Sequence, residues 1–408
     1  MISRFWLSGY NILIFGLLGT FIGYSLGDFS IHLKPLGDIF IQLIKMLIVP
    51  IVVFSILNST ARLSETNKAG KVGFFSLSYF FVTTVVAVLI GLFIAEYFEV
   101  GLGLSKIPDS LMNGHEVYAN SDSTKIVGFW DFLMGIIPTN PVEAMSKGNI
   151  LQILVFTIFL GLAISYLNNS YKDTFIKSIS LLNDAFLSMM GKVMYITPIG
   201  VLGLTSYAVG AMGLEVIGLV LKLFLFYVLG SLFLVYVLLG LLVHFFSNIS
   251  YFKFFKALIP LKIISFTTAS SLVSLPTNLK NCEEMGISKS ICNFVLPIGA
   301  SVNMNGNAMF NVMVAVFFAQ MFNIELTFPL YFAIAFTSVV GAIGVAGVPG
   351  PTVIIIAVLV SAGIPLEGVP LLFAVDRLFD MLRTSVNVIG DASCAAILDK
   401  MMTKEETA

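Results

Sequence analysis

The residues able to do chemistry are concentrated near the C-terminus, in the stretch DRLFDMLRTSVNVIGD from Asp376 to Asp391. Wound as a helix, Asp376, Asp380, Arg383, Thr384, Asn387 and Asp391 fall within an arc of about 100°. Leu378, Phe379, Met381, Leu382, Val386 and Ile389 fill the rest of the turn, and Arg377 is expected to point away from the acidic stripe. A guanidinium is a fixed cation with a planar fork, suited to a carboxylate held by two hydrogen bonds. Asp380, one turn before Arg383, suits an ammonium. Asp391, Asn387 and nearby carbonyls suit a hard alkali cation, which takes oxygen ligands. The competing reading of Arg383 is an internal salt bridge with Asp376 or Asp380.

The rest of the chain decides what surrounds this stripe. Of 408 residues, 58% are hydrophobic and 11% charged, against about 25% charged in an ordinary soluble domain. With a mean hydropathy of +0.98, the chain belongs among multi-spanning helical membrane proteins. The stripe is therefore not a surface face turned to water. A charge at mid-membrane costs about 2.5 kcal/mol or more, so these groups must face protein or a water-filled site. A net charge of -1 leaves no basic field for nucleic acid. Cys282, Cys292 and Cys394 show no metal spacing and are expected as packing residues, and His32, His115 and His244 are scattered. The N-terminus, with Arg4 ahead of an apolar run and no small-residue cleavage site, predicts a first span rather than a removed leader.

Spans are predicted at residues 11–26, 37–57 (with Pro50 inside), 72–95, 150–167, 175–209 and 216–246. The last two exceed the twenty or so residues a crossing needs, so they must tilt, kink or protrude. Thr83 and Thr84 sit in the third span and either bond their own backbone or offer hydroxyls inwards. A polar loop is expected over 101–128, followed by a short apolar piece at 131–137 that PTNP interrupts. Arg4; Arg62, Lys68 and Lys71; Lys172 and Lys177; Lys253 and Lys256; and Lys400 and Lys404 fall on one side if the spans alternate, with Lys34 and Lys106 opposite. That side is the cytoplasm, with both termini in it.

Beyond residue 252 the pattern changes. Residues 254–285 are broken by FTTASSLVSLP, with Ser270, Ser271 and Pro276, and residues 330–362 by GAIGVAGVPGP. No half is long enough to cross, so each predicts a helical hairpin that enters and returns. Irregular backbone at that depth survives only against protein or a cavity. Between them, Gly299, Ser301, Asn303, Asn305, Gly306 and Asn307 interrupt an apolar span and predict a locally unwound helix exposing carbonyls. Hairpin and broken helix, then hairpin and polar-faced helix, suggest an inverted repeat, whose Gly/Pro-interrupted pieces point to a transporter's substrate site. One ammonium and two carboxylates would complement Asp380, Arg383 and Ser271, which describes a small acidic amino acid.

The motifs PTNLKNCEEMGIS, VNMNGNAMF, GVAGVPGP and DRLFDMLRTSVNVIGD, with IKMLIVP in the second span, resemble the excitatory amino acid transporter family, the dicarboxylate/amino acid:cation symporters. The likeness runs through the whole chain in order. It implies an all-α polytopic membrane protein of eight transmembrane helices and two re-entrant hairpins, with inverted repeats and an elevator movement. It implies a homotrimer in the cytoplasmic membrane, bathed in lipid, that takes up L-glutamate or L-aspartate with Na+, H+ or both. The implied division is a scaffold over 1–70 and, with the loop, over 99–212, and a moving transport part over 71–98 and 213–408. Ser270, Ser271, Asn307, Val348, Gly350, Asp380, Arg383, Thr384 and Asn387 would contact substrate. Carbonyls of Gly299, Asn303 and Asn387 with Asp391 would form one sodium site, carbonyls of Ser301, Ala342, Ile343 and Val345 a second, and Thr83 and Thr84 would serve a third.

The departures are specific. The family's usual NMDGT is here NMNGN, so Asn305 stands for an aspartate and Asn307 for a threonine; Phe80 stands for a tyrosine. The third cation site loses its carboxylate and an aromatic partner, which predicts altered stoichiometry or proton coupling. The serine tip is SSL rather than SSS, and Ala269 and Met381 stand where relatives often carry an arginine. A same-fold carrier of neutral amino acids or C4-dicarboxylates is the nearest alternative: Arg383 argues against neutral substrates and Asp380 against amine-free ones. An intramembrane hydrolase would need its acid pair on facing helices, whereas Asp376 and Asp380 share one. An ion channel would match the composition, and saturable stereoselective uptake would separate it from a carrier.

Overall fold

The structure, a computed structural model, describes residues 9–67, 71–103, 134–135, 137–167, 169–344, 352–366, 368–373 and 375–406. Among these every regular element is helical. Arg4, Lys68, Lys106, His115, most of the 101–128 loop, and the second hairpin's tip with Val345, Val348 and Gly350 lie outside the described residues.

Helix α1 is Gly9–Leu26, α2 Lys34–Asn67 and α3 Lys71–Tyr97. The second helix runs ten residues beyond the predicted span and takes Arg62 into it. Nothing in NSTARLSETN breaks a helix, whereas Lys68–Ala69–Gly70 follows it. Asn140 caps α4 (Pro141–Lys147) by accepting from the Val142 and Glu143 amides, with Pro141 at its first position and a left-handed Gly148 ending it. PTNP is thus a helix start as well as an interruption. Next come α5 (Ile150–Ser165), α6 (Asn169–Val193) and α7 (Thr197–Met212). The predicted span at 175–209 is two helices bent by 56° around a short 3-10 turn, since Thr197–Pro198 begins a new helix. Its neighbour stays continuous: α8 (Glu215–Leu232) passes through a π-helical segment, Phe233–Leu239, into α9 (Gly240–Phe246).

The C-terminal half begins with α10 (Tyr251–Ala257), then α11 (Ile259–Thr268) and α12 (Ser271–Met285), the two arms of the first hairpin. A span broken at Asn303 and Met304 follows as α13 (Lys289–Val302) and α14 (Asn305–Met321). The second hairpin's arms are α15 (Phe328–Gly344) and α16 (Thr352–Ser361). Short α17 (Val369–Phe373) leads into α18, Asp376–Glu406. At 1.5 Å per residue, the ten-residue α11 and α16 reach only about 15 Å, half of a roughly 30 Å hydrocarbon core. Among the described residues four helices are long and apolar enough to cross a bilayer, five if the bent α6–α7 pair is one span.

Packing separates into two sets. Helices α1, α2, α5, α6 and α7 lie mainly on one another. Helices α3, α8 and α11 to α14 gather around α18. The second hairpin touches both sets, lying on α14 and on α2 and α5. Large apolar side chains cover the outside, among them Phe21, Phe93 and Phe159, each about two-thirds exposed. Such a surface would aggregate in water and matches lipid.

Candidate functional site

Helix α18 carries its polar stripe inward. Arg383 is fully buried, and Thr384, Asn387 and Asp391 are buried with it. Asp376 and Asp380, at the helix start, are partly exposed. The stripe therefore faces protein, as the cost of charge in hydrocarbon requires. Val386, Ile389 and Phe379 pack into the core around it.

The Arg383 guanidinium lies over the Phe310 ring, 4.5 Å from its centroid, and donates from Nη2 to Asp376 at 2.8 Å. The same nitrogen is 3.3 Å from Asp380 Oδ1. The internal salt bridge is therefore made, yet it uses one nitrogen: Nε and Nη1 have no partner among the described residues. The salt bridge does not exhaust the guanidinium, because five N–H donors exceed what one nitrogen presents. Phe310 belongs to α14, and no periodicity in the sequence marks it as the guanidinium's platform.

Arg377 corrects a sequence expectation. It does not point away from the acidic stripe: its Nη1 is 3.8 Å from Asp380 Oδ2, and its Nη2 donates to the Thr268 carbonyl at 3.4 Å. Its backbone position lies only about 20° outside the arc, and a long flexible side chain bridges that easily. The Thr268 contact brings the first hairpin's tip to the start of α18. Further along α18, the Ser385 hydroxyl is 3.1 Å from that of Ser265 in α11. At that tip Ala269 is left-handed, φ 49°, a conformation costing a non-glycine residue about 1–2 kcal/mol. Ser270 then caps α12 by accepting from the Val273 amide, and Ser271 opens the helix half-buried.

A second cluster forms where the span breaks. Asn303 Nδ2 donates to the Asn387 carbonyl at 2.9 Å and to Asp391 Oδ1 at 2.8 Å. Its own Oδ1 is buried without a partner among the described residues. Gly299 lies so close that a Cβ there would sit 2.5 Å from Asp391 Oδ1. Asn387 accepts from the Gly306 amide at 2.8 Å and donates to Asn307 Oδ1 at 3.0 Å and to Met304 Sδ at 3.2 Å. Gly299, Asn303, Asn387 and Asp391 thus converge, with one carboxylate among neutral oxygens. That donor set suits an alkali cation. Only Asn303 and Met304 leave the helix; Asn305, Gly306 and Asn307 already belong to the first turn of α14. Ser301 lies in the last turn of α13 and Ala342 and Ile343 in that of α15, where helices leave carbonyls without intrahelical donors.

The third group is a closed neutral cage. Thr84 Oγ1 donates to the Phe80 carbonyl at 2.7 Å and is 2.7 Å from Asn305 Oδ1. Thr83 Oγ1 bonds the Tyr79 carbonyl at 2.8 Å and accepts from Asn305 Nδ2 at 3.2 Å. The two threonines satisfy their own helix and face Asn305 as well. Among the described residues, the side chains that meet in this cage are a neutral amide and two hydroxyls, with no carboxylate. Cys282, Cys292 and Cys394 are buried free thiols.

A sequence profile of the sodium:dicarboxylate symporter family matches residues 9–401. The chain is 31% identical to a proton/sodium-glutamate symport protein of Geobacillus stearothermophilus, over 95% of this chain and 92% of that one. It is 33% identical to a proton/glutamate-aspartate symporter of Bacillus subtilis, over 97% and 94%. A C4-dicarboxylate transport protein of the same organism is also 33% identical, over 94% and 91%.

Proposed function

The chain belongs to the sodium:dicarboxylate symporter family, and from that premise we propose that it brings acidic amino acids, L-aspartate or L-glutamate, into the cell in step with a cation. Its work is transport, not catalysis of a covalent step. The observation that carries the substrate reading is Arg383: a fully buried guanidinium, stacked on Phe310, with donors on Nε and Nη1 left over. A buried cation with spare donors, in a carrier for anions, is a carboxylate receptor. Asp380 takes the substrate ammonium, Thr384, Asn387 and Asn307 its backbone, and Ser270 and Ser271 its second carboxylate. Val348 and Gly350, outside the described residues, complete the substrate contacts of this reading.

Na+ is the co-transported ion in this reading, held by Asp391 with oxygens of Gly299, Asn303 and Asn387, and at a second site by carbonyls of Ser301, Ala342, Ile343 and Val345. The neutral cage of Asn305, Thr83 and Thr84 holds none, so fewer ions move per cycle, or a proton replaces one. Eight spans and two re-entrant hairpins lie in the cytoplasmic membrane with both termini inside. Residues 71–98 and 213–408 move against a fixed scaffold, 1–70 and 99–212, in a homotrimer. The separate packing of α3, α8 and α11 to α14 around α18 supports that division. A C4-dicarboxylate is the second reading, favoured by Arg377 standing beside Asp380.

Radiotracer aspartate uptake into proteoliposomes, with sodium and proton gradients imposed separately, tests both parts. Saturable stereoselective uptake driven by the sodium gradient is expected. Full uptake without sodium removes the sodium assignment, and no uptake of aspartate or glutamate under either gradient removes the substrate assignment.

A further inference from the structure

Asp380 stands between two guanidinium groups. Arg383 Nη2 is 3.3 Å from its Oδ1 and Arg377 Nη1 is 3.8 Å from its Oδ2. With Asp376 on Arg383 at 2.8 Å, the start of α18 holds two cations and two carboxylates and is neutral overall. Arg377 is nearly half exposed at this place, while Arg383 is fully buried. Arg377 also reaches the Thr268 carbonyl, at the tip of the first hairpin.

Resting on the carrier reading above, the geometry points to Arg377 as the residue that sets whether a substrate must carry an amine. A site that pairs one of its own polar groups with the substrate disfavours an analogue that leaves that group unpaired, and the 29% exposure of Asp380 moderates the penalty here. An amine-free C4-dicarboxylate brings nothing for Asp380. Arg383 already faces Oδ1, and Arg377 supplies a second cation from the protein's side, so Oδ2 of Asp380 also stays paired when no ammonium arrives. When an amino acid binds, its ammonium takes the Asp380 carboxylate and Arg377 swings to solvent, which its exposure permits. The pocket thus takes both acidic amino acids and amine-free dicarboxylates. Relatives bearing either name match this chain at 31–33% identity, so overall similarity does not separate the two classes.

The test is inhibition of radiolabelled L-aspartate uptake by unlabelled succinate and unlabelled L-aspartate, in proteoliposomes of wild type, Arg377→Gln and Arg377→Lys. Wild type is inhibited by both. In Arg377→Gln the ratio of half-inhibiting concentrations, succinate over aspartate, rises at least about tenfold; Arg377→Lys, which keeps the charge, falls between. A merely structural role weakens both inhibitors alike and leaves the ratio unmoved, and that result overturns the proposal. So does a wild type that takes aspartate but ignores succinate. If Arg377→Gln does not fold, an unmoved ratio in Arg377→Met, or wild-type behaviour in succinate binding by that variant, has the same force. A wild type that transports neither compound defeats the carrier reading itself, which separates the two failures.

Discussion

Arg383 and Asn305 show how one side chain changes what a buried place can hold. Arg383→Ala removes the only fully buried cation among the described residues of the site but leaves Asp376 and Asp380 partly exposed, at 22% and 29%, where water can reach them. The fold should survive. Truncating one partner of a buried charged pair costs about 2–5 kcal/mol, so half-saturation for aspartate should rise at least about thirtyfold. Uptake unchanged in the variant, at equal membrane abundance, ends the carboxylate-receptor role. Asn305→Asp runs the other way. It puts a carboxylate among two threonine hydroxyls and removes the Nδ2 donation to Thr83, leaving a buried charge that needs a counter-ion. The variant's thermal midpoint should drop in choline and recover in sodium by several degrees more than wild type does. Equal sodium responses would mean the cage is indifferent to charge. Much of this was readable beforehand: charged and amide residues in so apolar a chain must be internal. Arg377 was not, since a strict helical arc places the Cα and ignores the reach of the side chain.

Among elements, the broken span meets α18 at two close approaches, and they differ in kind at its two glycines. A Cβ on Gly306 would meet the Arg383 carbonyl at 2.7 Å and its Cα at 2.9 Å. Backbone faces backbone there, so α14 and α18 must move apart. Gly306→Ala should destabilise the protein by about 1–3 kcal/mol, read as a lowered thermal midpoint with or without sodium. At Gly299 the obstruction is the Asp391 side chain, at 2.5 Å. A side chain can turn away, so Gly299→Ala should cost chiefly sodium affinity, seen in a calorimetric titration, with a smaller change in melting. Equal loss of both properties in both variants would refute that division. The break itself was legible, because NMNGN sets amides and a glycine inside an apolar run. Its width was not: helical geometry resumes at Asn305, held by the Asn387 contact with the Gly306 amide across 81 residues of sequence. Nor could hydropathy place the bend between α6 and α7, since both arms read as one apolar run and only Thr197–Pro198 signals the restart.

For the whole molecule, coupling sets the energy scale. One charge moving down 100 mV releases about 2.3 kcal/mol, enough for roughly a fiftyfold substrate gradient. Drawing on it requires that the site face each side in turn, which the division of helices into two packed sets suits. Helix α2 belongs to the proposed fixed part and α17 to the moving part. They meet where the Phe40 and Phe373 rings pack edge to face, centroids 5.7 Å apart. Both rings are buried, so any passage of one part along the other must separate them. Cysteines placed at both positions and joined by a short bifunctional thiol reagent should arrest uptake, while calorimetry still detects substrate binding, and reduction should restore transport. Wild type and the two single-cysteine variants, treated alike, control for reaction at Cys282, Cys292 and Cys394. Undiminished uptake after complete crosslinking would mean that α2 and α17 travel together, and the boundary between fixed and moving helices would then have to lie elsewhere.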